Sequence, residues 1–263
     1  MLKKVYLFVL ILCLFPNPAH PCLHGPQESG TPPIPVEQSA QQAIILHDGT
    51  VQDLILSVNY QTEEVTSLAW IIPVPSVPTK YATADSEVFP KLNNWVNLER
   101  NVPQPRIAKG VGSKTKSNSK RQTPSIKLLP KAKVGPFQIQ PIQGSGSEAL
   151  SALSKWLTER GFAAIPEGAL QYYLERGWTF LAVQVKPEEG KQKLSKSGAL
   201  PPLQVRFPTD KIVYPLKFST HMGIFGARIY LLTENPLQDS AFQGARDKGF
   251  EVLSNGKYLS TAR

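Results

Sequence analysis

Cysteine is nearly missing from this chain. Of two in 263 residues, Cys13 lies inside an N-terminal apolar run and Cys22 stands just beyond it. Once that run is removed no intrachain disulfide can form, and the fold has to be held by its core. Histidine is as scarce. His20, His24, His47 and His221 are the four. His20 lies in the signal region, His24 in the leader, and His47 and His221 are far apart in sequence. His47 with Asp48 and Asp53 could gather for a metal or acid/base role at one hairpin turn, although turns commonly carry such residues for their own local hydrogen bonds. Neither a metal nor a cofactor is expected, and no glycine loop for phosphate binding is present. Long apolar runs are also lacking. The longest, residues 5–15, has eleven residues against about 20 needed to span a bilayer, so no transmembrane helix is expected after signal cleavage.

Acidic residues are absent from 101–147, a stretch that carries nine basic ones: Arg106, Lys109, Lys114, Lys116, Lys120, Arg121, Lys127, Lys131 and Lys133. Setting these aside together with Lys3 and Lys4 turns the formal net charge of +9 into −2. The positive charge is therefore a property of one segment, not of the whole surface. Aromatics are missing from 106–135 as well, which removes the stacking platform that single-stranded nucleic-acid binders need.

What is present begins with Lys3 and Lys4, the apolar run, and then Pro16, Asn17, Pro18 and Ala19. This is the charged, apolar, small-residue order of a secretory signal, and cleavage is expected near Ala19. The protein is expected to be exported: periplasmic, bound to the cell envelope, or secreted. His20 and Pro21 precede Cys22 where a lipoprotein signal would place small residues, so a thiol is favoured there over lipid attachment.

Periodicity orders the rest. Residues 1–20 read as signal peptide and 21–40, rich in Pro, Gly and polar residues, as a flexible leader. Residues 41–100 read as an N-terminal β-rich lobe with one helix. Strands over 42–46 and 51–60 flank the turn residues His47, Asp48, Gly49 and Thr50, which predicts a hairpin. Residues 67–74 are apolar on both faces and predict a strand covered on both sides. Pro73, Pro75 and Pro78 are expected to end it. Helical spacing of Val88, Phe89, Leu92, Trp95 and Val96 predicts a helix over 85–96, with Asp85 or Ser86 as its cap and Pro90 in its first turn.

Residues 101–133 leave almost nothing to bury and read as a basic flexible loop. Residues 134–235 read as an α+β lobe. It would hold a strand at 134–142, a helix at 145–161 opened by Ser145 with Glu148 and stopped by Gly161, and a second helix at 166–176 before Gly177. Strands at 179–185, 203–207, 212–218 and 227–232 follow, with a lysine-rich polar loop over 187–197. Residues 236–263 read as a C-terminal extension with an Asn255-Gly256 hairpin. The fold class is α+β, with a mostly antiparallel or mixed sheet and a helical pair, in one domain or two closely packed lobes.

The segments "HDGTVQDLILSVNY" (47–60), "LAWIIPVPSVP" (68–78), "VGPFQIQPI" (134–142), "ALSKWLTERGF" (152–162), "YYLERGWTFLAVQV" (172–185) and "YPLKFS" (214–219) resemble, in this order, a bacterial family of exported proteins, domain of unknown function 2330. Trp70, Pro73 and Pro75 match its tryptophan-then-proline signature. The glycine-rich stretch that follows the cysteine in the family is reduced here to Leu23-His24-Gly25, and the C-terminal anchor of some relatives is not expected after Leu232. The resemblance implies export in a bacterium and assigns no activity.

Chemistry has few footholds. His47 with Asp48 or Asp53 could gather at one hairpin for an exported hydrolase, although turns carry such residues to satisfy their own backbone. Gly144-Ser145-Gly146-Ser147 lacks the last glycine of a nucleophile elbow and reads as a helix start whose N–H groups could hold an anion. Ser113 and Lys116 have Ser-x-x-Lys spacing in a segment that would not fix their geometry. No convergent catalytic set emerges. The leading expectation is a non-enzymatic binding or envelope-associated protein whose basic loop contacts anionic polymers or lipid head groups, nucleic acid being disfavoured.

Overall fold

The computed structural model describes residues 22–28, 30–100, 126–144, 146–165, 168, 170–215 and 226–233. In chain order the elements are β1 (Leu23–His24), β2 (Glu37–His47), β3 (Val51–Gln61), β4 (Leu68–Val74), β5 (Lys80–Thr83) and α1 (Val88–Arg100). They continue with β6 (Ile126–Leu128), β7 (Ala132–Val134), β8 (Phe137–Gly144), α2 (Gly146–Thr158), α3 (Gln171–Leu174), β9 (Thr179–Val185), β10 (Ser197–Ala199), β11 (Leu203–Pro208) and β12 (Gly226–Thr233).

Two six-stranded sheets result. One has the order β1-β4-β9-β8-β6, with β7 also on β8; the other has β12-β2-β3-β11-β5, with β10 also on β3. All pairs are antiparallel except β12 with β2. This is the strand-rich α+β arrangement expected.

The hairpin β2–β3 turns at Gly49, whose φ of +98° is a region glycine enters without steric cost. Alternation along it sorts side chains by face. Ala43, Ile45, Leu54, Leu56, Val58 and Tyr60 join the main core, while Ile44 and Ile55 meet Phe89 of α1 on the opposite face. Asp85 opens α1, its Oδ1 accepting the N–H of Glu87 at 2.9 Å and its carbonyl that of Val88 at 3.1 Å.

Every residue of β4 and β9 is buried, as strands covered on both sides are. Helix α2 lies on β8 and β9 and buries Ala149, Leu153, Trp156 and Leu157 into a core that both sheets share. Helices α2 and α3 stop alike. Phe162 N–H reaches the Leu157 carbonyl and Gly161 N–H that of Thr158; Trp178 N–H reaches Tyr173 and Gly177 N–H reaches Leu174. Gly161 and Gly177 have φ of +73° and +63°, so each end is a Schellman motif with glycine in the left-handed position.

Several expectations need correction. Residues 22–40, expected as part of a flexible leader, hold β1 and the start of β2, because Leu23 is fully buried and pairs with Trp70. Strand β4 ends at Val74 as expected, but with Pro73 inside it. The N–H of Ile71 bonds to the Cys22 carbonyl, so the ring nitrogen of Pro73, two residues on, points to the same side, past the end of β1. No ladder bond to a described residue is lost there, and the strand continues to Val74.

Of the basic loop expected over 101–133, residues 126–128 and 132–134 form β6 and β7 on β8. Among the described residues the second helix spans Gln171–Leu174, and of the strand expected over 212–218 residues 212–215 form none while 216–218 lie outside the described residues. The division into lobes at 41–100 and 134–235 does not follow the sheets: β4 pairs with β1 and β9, and β10, β11 and β12 complete the sheet of the first hairpin. The C-terminal hairpin lies outside the described residues.

Candidate functional site

Short strands β6 and β7 lie end to end on the outer edge of β8, pairing with residues 142–144 and 137–139. Pro130 sits between them, and the preceding Leu129 donates its N–H to the Pro141 carbonyl at 3.1 Å. Apolar residues at alternate positions, Ile126, Leu128, Ala132 and Val134, give the segment its strand character. The register opposes Lys127 to Gln143 and Lys133 to Gln138. Those glutamines are an odd number of residues apart on β8, so the two lysines lie on opposite faces of the edge.

Lys127, Lys131 and Lys133 are all exposed, and none pairs with a carboxylate among the described residues. Charge along an edge strand also discourages edge-to-edge pairing. Arg106, Lys109, Lys114, Lys116, Lys120 and Arg121 lie outside the described residues. Pairing with β8 thus gives one end of the basic segment a fixed base in place of the expected loop.

The hairpin residues are engaged with backbone. Nε2 of His47 donates to the Thr209 carbonyl at 3.1 Å, and Nδ1 accepts the Gly49 N–H at 3.2 Å, a network that assigns the Nε2–H tautomer. Asp48 Oδ1 accepts the N–H groups of Thr50 and Val51 and the Thr50 hydroxyl at 2.8–2.9 Å. Those bonds, the Thr50 N–H first, hold its carboxyl below the usual carboxylate range. Asp53 accepts the Gln204 amide at 2.9 Å and lies 3.7 Å from Nε of Arg206 across the ladder. His47, Asp48 and Asp53 thus serve turn and sheet, and neither recess described below includes them. Among the described residues no group of three His, Cys, Asp or Glu gathers as a metal site. Ser113, Ser145 and His221 lie outside the described residues.

Trp70 is a core residue, 3% exposed, with its ring 6.3 Å from that of Phe137; Pro73 lies within β4 and Pro75 just beyond it. Where β1 begins, a recess of about 20 Å³ is lined by Cys22, Gln41, Ser57, Trp70 and Tyr214, among others. That is room for one water. The Tyr214 hydroxyl donates to Gln41 Oε1 at 2.6 Å, and burial pushes its phenol up. Sequence reading missed this junction because Gln41 and Tyr214 lie far apart in the chain. It is too small for a substrate and joins one sheet to the segment after β11. Among the described residues no helix is long and apolar enough to cross a membrane.

Comparison with known proteins returns little chemistry. None of the curated proteins matches. Among solved structures, the crystal structure of baculovirus P35 matches with a TM-score of 0.36 and 11% identity, covering 66% of this chain and 55% of that one. That likeness spans just over half of the viral protein and carries neither fold nor function across. A family model described as "Uncharacterized protein conserved in bacteria (DUF2330)" matches residues 28–249. With most of the chain matched, and with the segments from the Trp70 strand to β9 in their expected order, this protein belongs to that bacterial family of unknown function.

Proposed function

We propose that the protein is an exported, non-enzymatic component of the bacterial cell envelope, and that it binds anionic polymers or lipid head groups through its basic segment. One observation carries the reading. Nine cationic residues and no acidic one occupy 101–147 of a chain that is otherwise close to neutral, and the described end of that segment sets Lys127 and Lys133 on edge strands, with Lys131 exposed between them. Lysines strung along a segment attract a polyanion chiefly by releasing its counterions. Export follows from the signal pattern at residues 1–20, and outside the cytoplasm the abundant polyanions are wall polymers and lipid head groups. The absence of aromatics from 106–135 argues against nucleic acid.

The test is fractionation of the native cell with low-salt and high-salt washes. Wild type is expected to stay with the envelope at low salt and leave at high salt. A variant lacking 104–123, which removes six of the nine cations and leaves β6 intact, is expected in the soluble pool at both. A soluble wild type, or a deletion variant retained as well as wild type, contradicts the reading.

A further inference from the structure

The lysine-rich loop between β9 and β10 is not absorbed by that reading. Main-chain bonds pin it along its length: Lys186 N–H to the Pro136 carbonyl at 2.9 Å, Leu194 N–H to Val65 at 2.8 Å, and Thr62 N–H to the Lys196 carbonyl at 2.7 Å. Within it, Lys191 N–H closes on the Glu188 carbonyl at 3.0 Å, with Gly190 at a φ of +84°, a turn that favours glycine at its third position. The loop is built to one shape.

That shape encloses a recess of about 110 Å³ where the two sheets meet, with Tyr60, Leu194 and Leu200 among its apolar walls. Its polar lining is Lys186, Lys191, Lys193, Ser195 and Ser197, with Glu188 as the one acidic residue. Glu188 is already ion-paired with Lys191 at 2.7 Å, and Lys193 lies 3.7 Å from Glu64. Lys186 has no carboxylate partner among the described residues. With Glu64 counted beside the lining, three ammonium groups stand against two carboxylates, so the recess and its rim are net positive and offer ammonium and hydroxyl donors.

Size and chemistry narrow the occupant. A volume of about 110 Å³ holds several waters but lies well below the roughly 300–1,000 Å³ of a drug-sized site. A single charged group fits; an extended ligand does not. No arginine lines the recess, so the planar fork that grips a carboxylate at two points is absent. Lysines acting as point charges, together with two hydroxyls, suit a tetrahedral group with an acceptor on every side. We propose that this recess binds one phosphate group, either as the free ion or as part of a phosphate-bearing polymer. None of the nine cations of the basic segment is among the residues that line the recess, which meets that stretch at Pro136.

The test uses the chain without its signal, labelled with ¹⁵N, and follows the amide signals of Ser195, Ser197 and Gly198. Inorganic phosphate, poly(glycerol phosphate) and acetate are titrated at matched ionic strength. Saturable shifts at these amides with a phosphate probe are expected, with acetate binding at least about tenfold more weakly. Lys186→Gln and Ser197→Ala, each with an otherwise unchanged spectrum, should each weaken phosphate by about tenfold, the scale of one hydrogen bond to a charged group. Deleting 104–123 should leave the affinity as it is. Saturation by inorganic phosphate means that the ion suffices, and saturation by the polymer alone means that a chain-borne phosphodiester is required; both support the site. No saturable shift with either, acetate binding as tightly, or loss of the shifts on deleting 104–123 overturns it.

Discussion

At Gly25 the chain has no room for a side chain: a Cβ there would stand 2.1 Å from the Ile34 carbonyl oxygen. Gly25→Ala must push backbone away from backbone, and a loss of about 1–3 kcal/mol is expected from denaturant unfolding. Trp70→Ala, which empties a core position against Phe137, should cost about 3–5 kcal/mol in the same measurement. Asp48 works through charge. Its folded carboxyl is held below the unfolded value by the Thr50 and Val51 N–H groups, so its contribution is present above the unfolded pKa of about 3.9 and is lost as pH falls through the folded value. Asp48→Ala should therefore lower the unfolding midpoint at pH 7 and have a smaller effect at pH 3; an equal effect at both would count against this role. The importance of Asp48 and Trp70 can be read from the sequence, one from turn chemistry and the other from an apolar run. That of Gly25 cannot, because nothing local marks the close approach of the Ile34 backbone, nine residues on.

Among elements, those with a full period are legible and the shortest ones are not. The β2–β3 hairpin, the doubly buried β4 and β9, and α2 with its glycine stop each carry enough residues for alternation, an apolar run or a helical stripe to show. Strands β1, β5 and β10 have two to four residues each, too few for any period, and they exist because a longer neighbour offers an open edge. Strand β1 shows how much such a piece can matter. Leu23 is fully buried and the Cys22 carbonyl completes a bond to Ile71, so Leu23→Ala is expected to cost about 2–5 kcal/mol by denaturant unfolding, whereas a true flexible leader would show no change. Strands β6 and β7 were hidden by the lysines they carry. Their alternate apolar positions were outweighed by the charge of the whole segment, and pairing with β8 decided the outcome.

For the molecule as a whole, the α+β class could be read from clustered strands and helices, but the pairing could not. The chain crosses between sheets several times, placing β4 beside β9 and β11 beside β3, and partners so distant in sequence leave no local signal. The same reason separates the two proposed binding surfaces. The basic segment is contiguous and visible as composition, whereas the recess draws Tyr60, Pro136 and residues 185–201 from three parts of the chain. The central claim, that the basic segment is an electrostatic contact for polyanions, is tested most directly by the salt dependence of binding. Affinity for an anionic wall polymer is measured over a range of salt concentrations for wild type and for the chain lacking 104–123. Counterion release predicts a linear fall of log affinity with log salt for wild type, and a slope cut by more than half when six of the nine cations are gone. Equal slopes, or binding insensitive to salt, would contradict it.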